Sequence, residues 1–208
     1  IKNKSTVTVK GGFNVNEGVT LTIEKGSTLI INSASASMIV AGKIIVEEGA
    51  TLEVEGAKDV QVSGSIESEG TVSITSTVTV KSGGSIVIND ATVKDGKYAS
   101  TFTAGADLTV EAGAELIIKS KVASVTTVTN KGTVTLDGAV LGEDFMVKMA
   151  ADKAVVQVLS VSGNHDVNIT DAGLKFAKDK YVTKANTVTI AVGSNVVKGL
   201  TVVETVSS

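Results

Sequence analysis

Residue types that commonly carry chemistry are scarce in this chain of 208 residues. His165 is the only histidine, and the sequence contains no cysteine and no arginine. A zinc site or a histidine-activated nucleophile needs further imidazole, thiolate or carboxylate partners. His165 instead lies in the polar segment Gly163–Asp166, which is typical of an exposed turn. We therefore predict no catalytic, cofactor-binding or metal-binding residue, and we do not expect an enzyme.

Acidic side chains are the other candidates for chemistry, and seven lie near predicted turns: Asp90, Asp95, Asp137, Glu143, Asp144, Asp166 and Asp171. Their spacing matches neither an EF-hand loop nor a calcium-binding nonapeptide repeat. We expect solvated turn residues rather than a calcium site. Polysaccharide hydrolases use paired carboxylates, but aromatic residues that could support a sugar make up only 3% of the chain. The composition therefore disfavours a polysaccharide-active enzyme.

Two sequons, Asn3-Lys4-Ser5 and Asn168-Ile169-Thr170, could carry N-linked glycans if the chain is secreted. Nucleic-acid binding needs a concentrated basic surface and aromatic residues for stacking. The net charge here is -3, and acidic and basic residues alternate along the chain. No apolar run approaches the roughly 20 residues of a membrane-spanning helix. We therefore predict neither a nucleic-acid partner nor insertion into a membrane.

The elements that would position these residues follow a repeated pattern over residues 1–142. In each unit, alternating apolar residues lead into a short charged turn closed by glycine, after which the alternation resumes. The clearest copies are Val19–Ile31, Ile44–Val54, Val78–Ile88 and Leu108–Ile118. A repeat of about 20 residues that contains strands and a glycine turn predicts coils stacked on one another.

Glycines mark the turns of this repeat, at Gly26, Gly49, Gly70, Gly84, Gly113 and Gly132. The intervals between them are 23, 21, 14, 29 and 19 residues, as if one turn were out of register. We expect glycine at these turns because its backbone adopts positive φ without a Cβ penalty.

The predicted fold is all-β: a right-handed parallel β-helix, or β-solenoid, of about six coils over residues 1–142. A small β-rich unit over residues 143–208 follows as a cap or assembly unit, although Asp171–Lys180 has some helical spacing. An antiparallel β-sandwich is the alternative, because its strands alternate in the same way. The apolar positions expected to face the core are Val19, Leu21, Ile23, Leu29, Ile31, Ile44, Val46, Leu52, Val54, Val72, Ile74, Val78, Val80, Ile86, Ile88, Leu108, Val110, Leu116, Ile118, Val134 and Leu136.

The segments Gly18–Ile31, Gly42–Val54 and Leu108–Ile118 resemble the β-solenoid repeats of secreted bacterial and archaeal surface proteins. Those families include adhesins, autotransporter-like passengers and surface-layer components. The resemblance covers the repeat region but not the residues after Gly142. It implies an extracellular or cell-surface location and a structural or adhesive role, and it supplies no catalytic residue.

Both ends of the chain are strand-like and rich in threonine and valine, and no proline is present to block a strand edge. Either end could be donated to a neighbouring sheet. The candidate assembly residues are Ser5, Thr6, Val7, Thr8, Val9, Leu200, Thr201, Val202 and Val203.

The predicted function is a structural subunit of an extracellular filament or surface array, whose partners are copies of itself. A surface adhesin module that binds a glycan or a matrix is the alternative, and a polysaccharide-active β-helix enzyme is the third. No cofactor is expected for the structural role.

Overall fold

The computed structural model describes residues 1–89, 93–94, 97–98, 100–105, 107–124, 127–140, 146–151, 154–162, 165–170, 173–178, 187–192 and 195–201. Every regular element in these ranges is a β-strand, and the strands form parallel sheets stacked as a solenoid of about six turns. The predicted all-β solenoid is confirmed, and the antiparallel sandwich is wrong. No helix in the described part of the chain is long and apolar enough to cross a membrane.

Each coil contributes one strand to each of three faces of the solenoid. The first face contains β1 (Thr6–Val9), β4 (Thr28–Ile31), β7 (Thr51–Val54), β10 (Thr71–Ile74), β15 (Thr101–Ala104) and β18 (Lys121–Ser124). The second contains β2 (Phe13–Val15), β5 (Met38–Val40), β8 (Val60–Val62), β11 (Val78–Val80), β16 (Leu108–Val110), β19 (Thr127–Asn130) and β21 (Met146–Met149). The third contains β3 (Thr20–Ile23), β6 (Lys43–Val46), β9 (Ser65–Ser68), β12 (Ser85–Ile88), β17 (Glu115–Ile118), β20 (Thr133–Val140) and β22 (Val155–Ser162).

The core is a set of aliphatic columns that run along the solenoid axis. Leu29, Leu52, Val72 and Phe102 lie in register on the first face, and all four are buried. Burying one such side chain contributes about 1.5–3 kcal/mol, and a single coil could not bury it alone. All but two of the predicted core positions are buried; Leu21 is half-buried, and Val19 is 50% exposed.

Two kinds of corner connect the faces. At a wide corner such as Glu24–Ser27, the Ser27 N–H donates to the Glu24 carbonyl at 2.9 Å, and Gly26 has a φ of 77°. At a narrow corner such as Ala41-Gly42, only two residues separate the strands, and a Cβ on Gly42 would overlap backbone carbonyl oxygens of the preceding coil. Of the predicted turn glycines, Gly26, Gly49 and Gly113 have positive φ, as predicted. For Gly70, Gly84 and Gly132 that reason is wrong, because none has positive φ and a Cβ there would overlap backbone carbonyl oxygens of the preceding coil.

The uneven glycine intervals have two causes. Gly70 lies between the third and first faces, whereas Gly84 lies between the second and third, so the interval of 14 residues is a change of corner. The interval of 29 contains an insertion, because Thr71 pairs with Thr101, 30 residues later. The extra residues follow β12 and carry a small antiparallel hairpin of β13 (Val93–Lys94) and β14 (Lys97–Tyr98).

Parallel pairing continues past residue 142, where the sequence pattern changes, because β21 pairs with β19 and β22 pairs with β20. Two antiparallel hairpins then follow: β23 (His165–Thr170) with β24 (Gly173–Lys178), and β25 (Thr187–Val192) with β26 (Asn195–Thr201). β24 pairs with β21, and β26 pairs with β22. The stretch with helical spacing therefore contains a strand, in which Lys175 separates Leu174 from Phe176.

Candidate functional site

The first three strands form an open edge at the N-terminal end of the solenoid, here called the N-terminal edge: β1, β2 and β3. Among the described strands, each of them pairs on one side only, with the next coil. The carbonyls of Ser5 and Val9 accept hydrogen bonds from β4 and the residue after it. Because successive residues of a strand point their backbone groups to opposite sides, the N–H and C=O of Thr6 and Thr8 face the open side. The edge thus offers unpaired backbone groups to another strand.

The same edge leaves the end of the apolar core accessible. Val7 lies in register with the buried Leu29, yet Val7 is 40% exposed. Val9, Phe13 and Leu21 are only partly buried and pack against the core from this end. A further strand on β1 would remove this apolar surface from water, which favours association.

Ile1 covers a small part of the N-terminal edge. Its ammonium group donates to the Thr22 carbonyl at 2.6 Å, and its carbonyl accepts from the Glu24 N–H at 2.9 Å. Ile1 therefore occupies the place that a neighbouring strand residue would take beside Ile23. The following turn contains Asn3, which is exposed and has a φ of 63°, so this sequon is accessible to a modifying enzyme.

Basic groups surround β1. Lys2, Lys4 and Lys10 are all exposed, and they flank the strand on both sides in sequence. Lys2 Nζ lies 3.5 Å from Glu24 Oε1, in a solvent-exposed ion pair that contributes little to stability. An approaching strand therefore meets positive charge at both ends of β1, which favours an acidic partner.

Val19 lies at the corner between β2 and β3, which is also part of the N-terminal edge. It precedes β3 in the position that a small residue occupies in later coils: Gly42, Gly64, Gly84, Ala114 and Gly132. A Cβ on Gly42 would point at the preceding coil, where it would overlap the carbonyl oxygens of Asn16 and Val19. Val19 belongs to the first coil, and no described coil precedes it. This is the physical reason why the predicted core position is half exposed.

A shallow groove of about 340 Å³ crosses the corner between the second and third faces, here called the corner groove. Its floor contains the narrow corners at Gly42 and Gly64, and the wide corners at Gly18 and Gly83 project on either side. Lys43 lines the groove, and its Nζ lies 2.7 Å from Glu67 Oε2. The other lining residues are Val19, Thr20, Ala41, Ser65 and Ser85. The groove is open to solvent and could hold a small polar ligand.

A polar cluster lies where the first and second faces meet. Ser37 Oγ and Gln61 Nε2 both donate hydrogen bonds to the Asp59 carboxylate, the latter at 2.8 Å. The Ser37 bond, followed by the Gln61 bond, holds the pKa of Asp59 below its ordinary value of 3.8. Since the folded-state pKa is lowered, these bonds stabilise the fold above pH 3.8 and cease to do so as Asp59 protonates at lower pH.

This cluster gives the first testable prediction. Asp59→Asn should lower the free energy of unfolding at pH 6, and the difference from the parent chain should shrink as the pH falls below 3.8. Urea unfolding at several pH values, followed by far-UV circular dichroism, measures this effect. Asp107→Asn, at an exposed aspartate, is the matched control. A difference that stays constant down to pH 2 would show that the carboxylate charge is not the cause.

The remaining predicted site residues lie at the other end of the chain or outside the described residues. Leu200 and Thr201 pair with β25 and so are already part of a hairpin, while Val202 and Val203 lie outside the described residues. Asn168 lies in β23, opposite Lys175. His165 is the first residue of β23, so its prediction as a turn residue is wrong.

The acidic candidates do not come together in the described part of the chain. Asp137 lies in β20 and its carboxylate is 3.9 Å from Lys119 Nζ, whereas Asp166 lies in β23. The other five fall outside the described residues: Asp90, Asp95, Glu143, Asp144 and Asp171. Among the described residues, no group of three or more histidine, cysteine or acidic side chains could hold a metal ion.

Sequence reasoning predicted β1 as a candidate assembly strand, which stays a prediction, and it missed Ile1, Val19 and the flanking lysines. The column of glycine and alanine before each third-face strand could have identified Val19, because a valine breaks that column only once. Comparisons with protein-family models, curated proteins and solved structures give no match to this chain.

Proposed function

We propose that the chain is a structural subunit of an extracellular filament or surface array, and that its copies assemble through strand edges. The observation that carries the proposal is the N-terminal edge, where unpaired backbone groups of Thr6 and Thr8 lie beside the exposed Val7. Natural sheet proteins usually block such edges with proline, bulges, covering segments or charged side chains on the edge strand. β1 itself contains none of these, since its residues are Thr6–Val9, and its nearest charged neighbours in sequence are Lys4 and Lys10.

The extracellular part of the proposal is supported by the resemblance of the repeats to secreted solenoids. Antibody labelling of intact cells of the source organism tests it. Labelling without permeabilisation is the expected result, and a signal that requires permeabilisation contradicts this part alone.

Thr8→Pro tests the assembly itself. The Thr8 N–H faces the open side, so proline removes an edge donor without taking a hydrogen bond from the β1–β4 ladder. We expect the parent chain to form polymers whose amount rises with concentration, visible by negative-stain electron microscopy. The variant should stay monomeric at concentrations where the parent polymerises, as measured by sedimentation velocity.

Thr8→Val is the matched control, since it keeps the edge N–H and a β-branched side chain of the same size. This variant should polymerise like the parent. Unchanged circular dichroism shows that each variant remains folded. The proposal is wrong if the parent chain is monomeric at every concentration, or if Thr8→Pro polymerises normally.

The corner groove favours one alternative, a surface adhesin module that binds a glycan. The groove presents hydroxyl groups, backbone and one lysine in a recess of about 340 Å³, although sugar-binding sites usually also contain aromatic side chains. Binding of the Thr8→Pro variant to a glycan array, abolished by Lys43→Ala in the groove, would support this alternative. A monomer without glycan binding would contradict it.

A further inference from the structure

We infer that copies join head to tail, with β1 of one copy added in parallel to β23 of another copy. This inference rests on the proposed function and names the joint that it needs. The occupant of the N-terminal edge is a second copy of this chain, which contributes β23.

Among the described strands at the C-terminal end, β23 and β25 each pair on one side only, and chain direction distinguishes them. β21 is parallel to the solenoid strands, β24 is antiparallel to β21, and β23 is antiparallel to β24. β23 therefore runs in the same direction as the solenoid strands of its face. β25 runs in the opposite direction, because it is antiparallel to β26, which is parallel to β22. Of these two described strands, β23 alone runs parallel to the solenoid strands of its face.

The backbone groups of β23 are available for this pairing. Among the described strands, β23 pairs with β24 alone. Thr170 and Gly173 are paired, and only two residues separate them in sequence. A pair that closes a two-residue hairpin loop in this way is hydrogen-bonded. Alternation then leaves the N–H and C=O of Val167 and Ile169 on the open side.

A parallel pair brings these groups into a specific register with β1. In a parallel ladder, a residue whose backbone N–H and C=O point towards the neighbouring strand forms two hydrogen bonds with that strand. These bonds go to the residues immediately before and after its opposite partner. Thr8, opposite Asn168, would thus bond to Val167 and Ile169. Val7 then lies opposite Val167, and Val9 opposite Ile169, which continues the apolar alternation of the solenoid. Antiparallel docking would instead place the two apolar residues of β23 opposite threonines.

Charge favours β23 over a second β1. An antiparallel pair of two β1 strands that uses all their open groups would be centred on Val7 and would bring the turn that carries Lys4 close to Lys10 of the other copy. Like charges brought close together disfavour this pair. In the β1–β23 register, Asp166 lies opposite Thr6 and next to the Lys2–Ser5 turn, which carries two lysines. Opposite charges brought close together favour this pair.

Val19 prevents a complete coil of another copy from stacking on the N-terminal edge, so that the joint consists of single strands. Its side chain occupies the space above the corner where every later coil to Gly132 has glycine or alanine. A complete coil added in register would meet this side chain, whereas a strand on β1 lies on a different face and avoids it. The copies therefore remain separate solenoids linked at a strand pair.

Disulfide cross-linking tests the joint, because the chain has no cysteine of its own. Thr8→Cys combined with Asn168→Cys should give a ladder of covalent multimers on non-reducing gels after mild oxidation of assembled protein. Opposite residues of neighbouring strands lie within the Cα separation of a disulfide, roughly 4.4–6.8 Å. Thr8→Cys combined with Thr189→Cys, in β25, and Thr8→Cys alone should give no ladder and no dimer. Cross-linking in either control, or none in the test pair, overturns the inference.

Charge reversal gives a second readout that does not depend on cysteine geometry. Lys4→Glu and Asp166→Lys should each raise the critical concentration for assembly about threefold to tenfold. The double variant should return to within about twofold of the parent. Lys58→Glu, at an exposed lysine away from the edge, should change nothing. Polymers that form normally but fail both tests leave the proposed function intact and refute this joint, whereas absence of parent polymers refutes the proposed function.

Discussion

Gly64→Ala should lower the free energy of unfolding by about 3 kcal/mol. A Cβ at Gly64 would overlap the carbonyl oxygens of Gly42 and Ala41 in the preceding coil. These atoms belong to the backbone and cannot rotate away, so the two coils must separate at this corner. Separation weakens the bonds from Gly64 N–H to the Val40 carbonyl and from Ser65 N–H to the Gly42 carbonyl, both 2.9 Å long. Far-UV circular dichroism in guanidinium, in the Thr8→Pro background, measures the loss.

Gly83 and Gly11 are the controls. They separate the loss of stability caused by close stacking of coils from the loss caused by replacing any glycine. A Cβ on Gly83 meets nothing within 4 Å, but its φ is 79°, so Gly83→Ala should cost only about 1 kcal/mol. Gly11 has open space and no positive φ, so Gly11→Ala should change stability by less than about 0.5 kcal/mol. Equal losses at Gly64 and Gly83 would show that close stacking of coils is not what requires glycine at the narrow corner.

Phe102→Ala should destabilise the solenoid by about 3–5 kcal/mol. Phe102 is fully buried, and it is the largest side chain in its column, between Val72 and Val122 in register. It lies in the first strand after the insertion that separates Thr71 from Thr101 by 30 residues. Truncation leaves a cavity that the hydrogen-bonded ladders on either side prevent from closing. The same denaturant measurement tests the prediction.

Phe13→Ala is the matched control, because Phe13 is only partly buried at the N-terminal edge. Its loss should be about 1–2 kcal/mol, since less apolar area returns to water and no enclosed cavity forms. A similar loss at both positions would contradict the view that the middle of the stack is packed more tightly than its N-terminal end.

The sequence predicts the architecture because two local signals agree. Apolar alternation fixes which residues of a strand such as Thr28–Ile31 face inward, and the glycine turns repeat at the length of one coil. The local sequence does not show which two faces are connected by the corner that contains each glycine. Gly70 and Gly84 look equivalent in sequence, but they differ in which preceding carbonyls they approach. That difference depends on whether the coil before has a wide or a narrow corner.

The candidate site is only partly predictable for a related reason. The alternation of threonine and valine in Thr6–Val9 reveals a strand, but its edge status follows from which strands pair with it. The C-terminal hairpins have no repeat to identify them, and their direction relative to the solenoid is set by pairing over long sequence separations. Leu174 and Phe176 fit a strand and a helix almost equally well when read alone.

The parallel register of the faces has a mechanical consequence. The hydrogen bonds of all three faces lie roughly along the solenoid axis, so tension along that axis stretches them directly. Neighbouring coils such as the second and third share ladders of four, three and four residue pairs, and these ladders bear the load together. The proposed joint between copies has only one ladder, on β1. An overstretched filament should therefore part between subunits, leave each solenoid intact and rejoin when the force is removed.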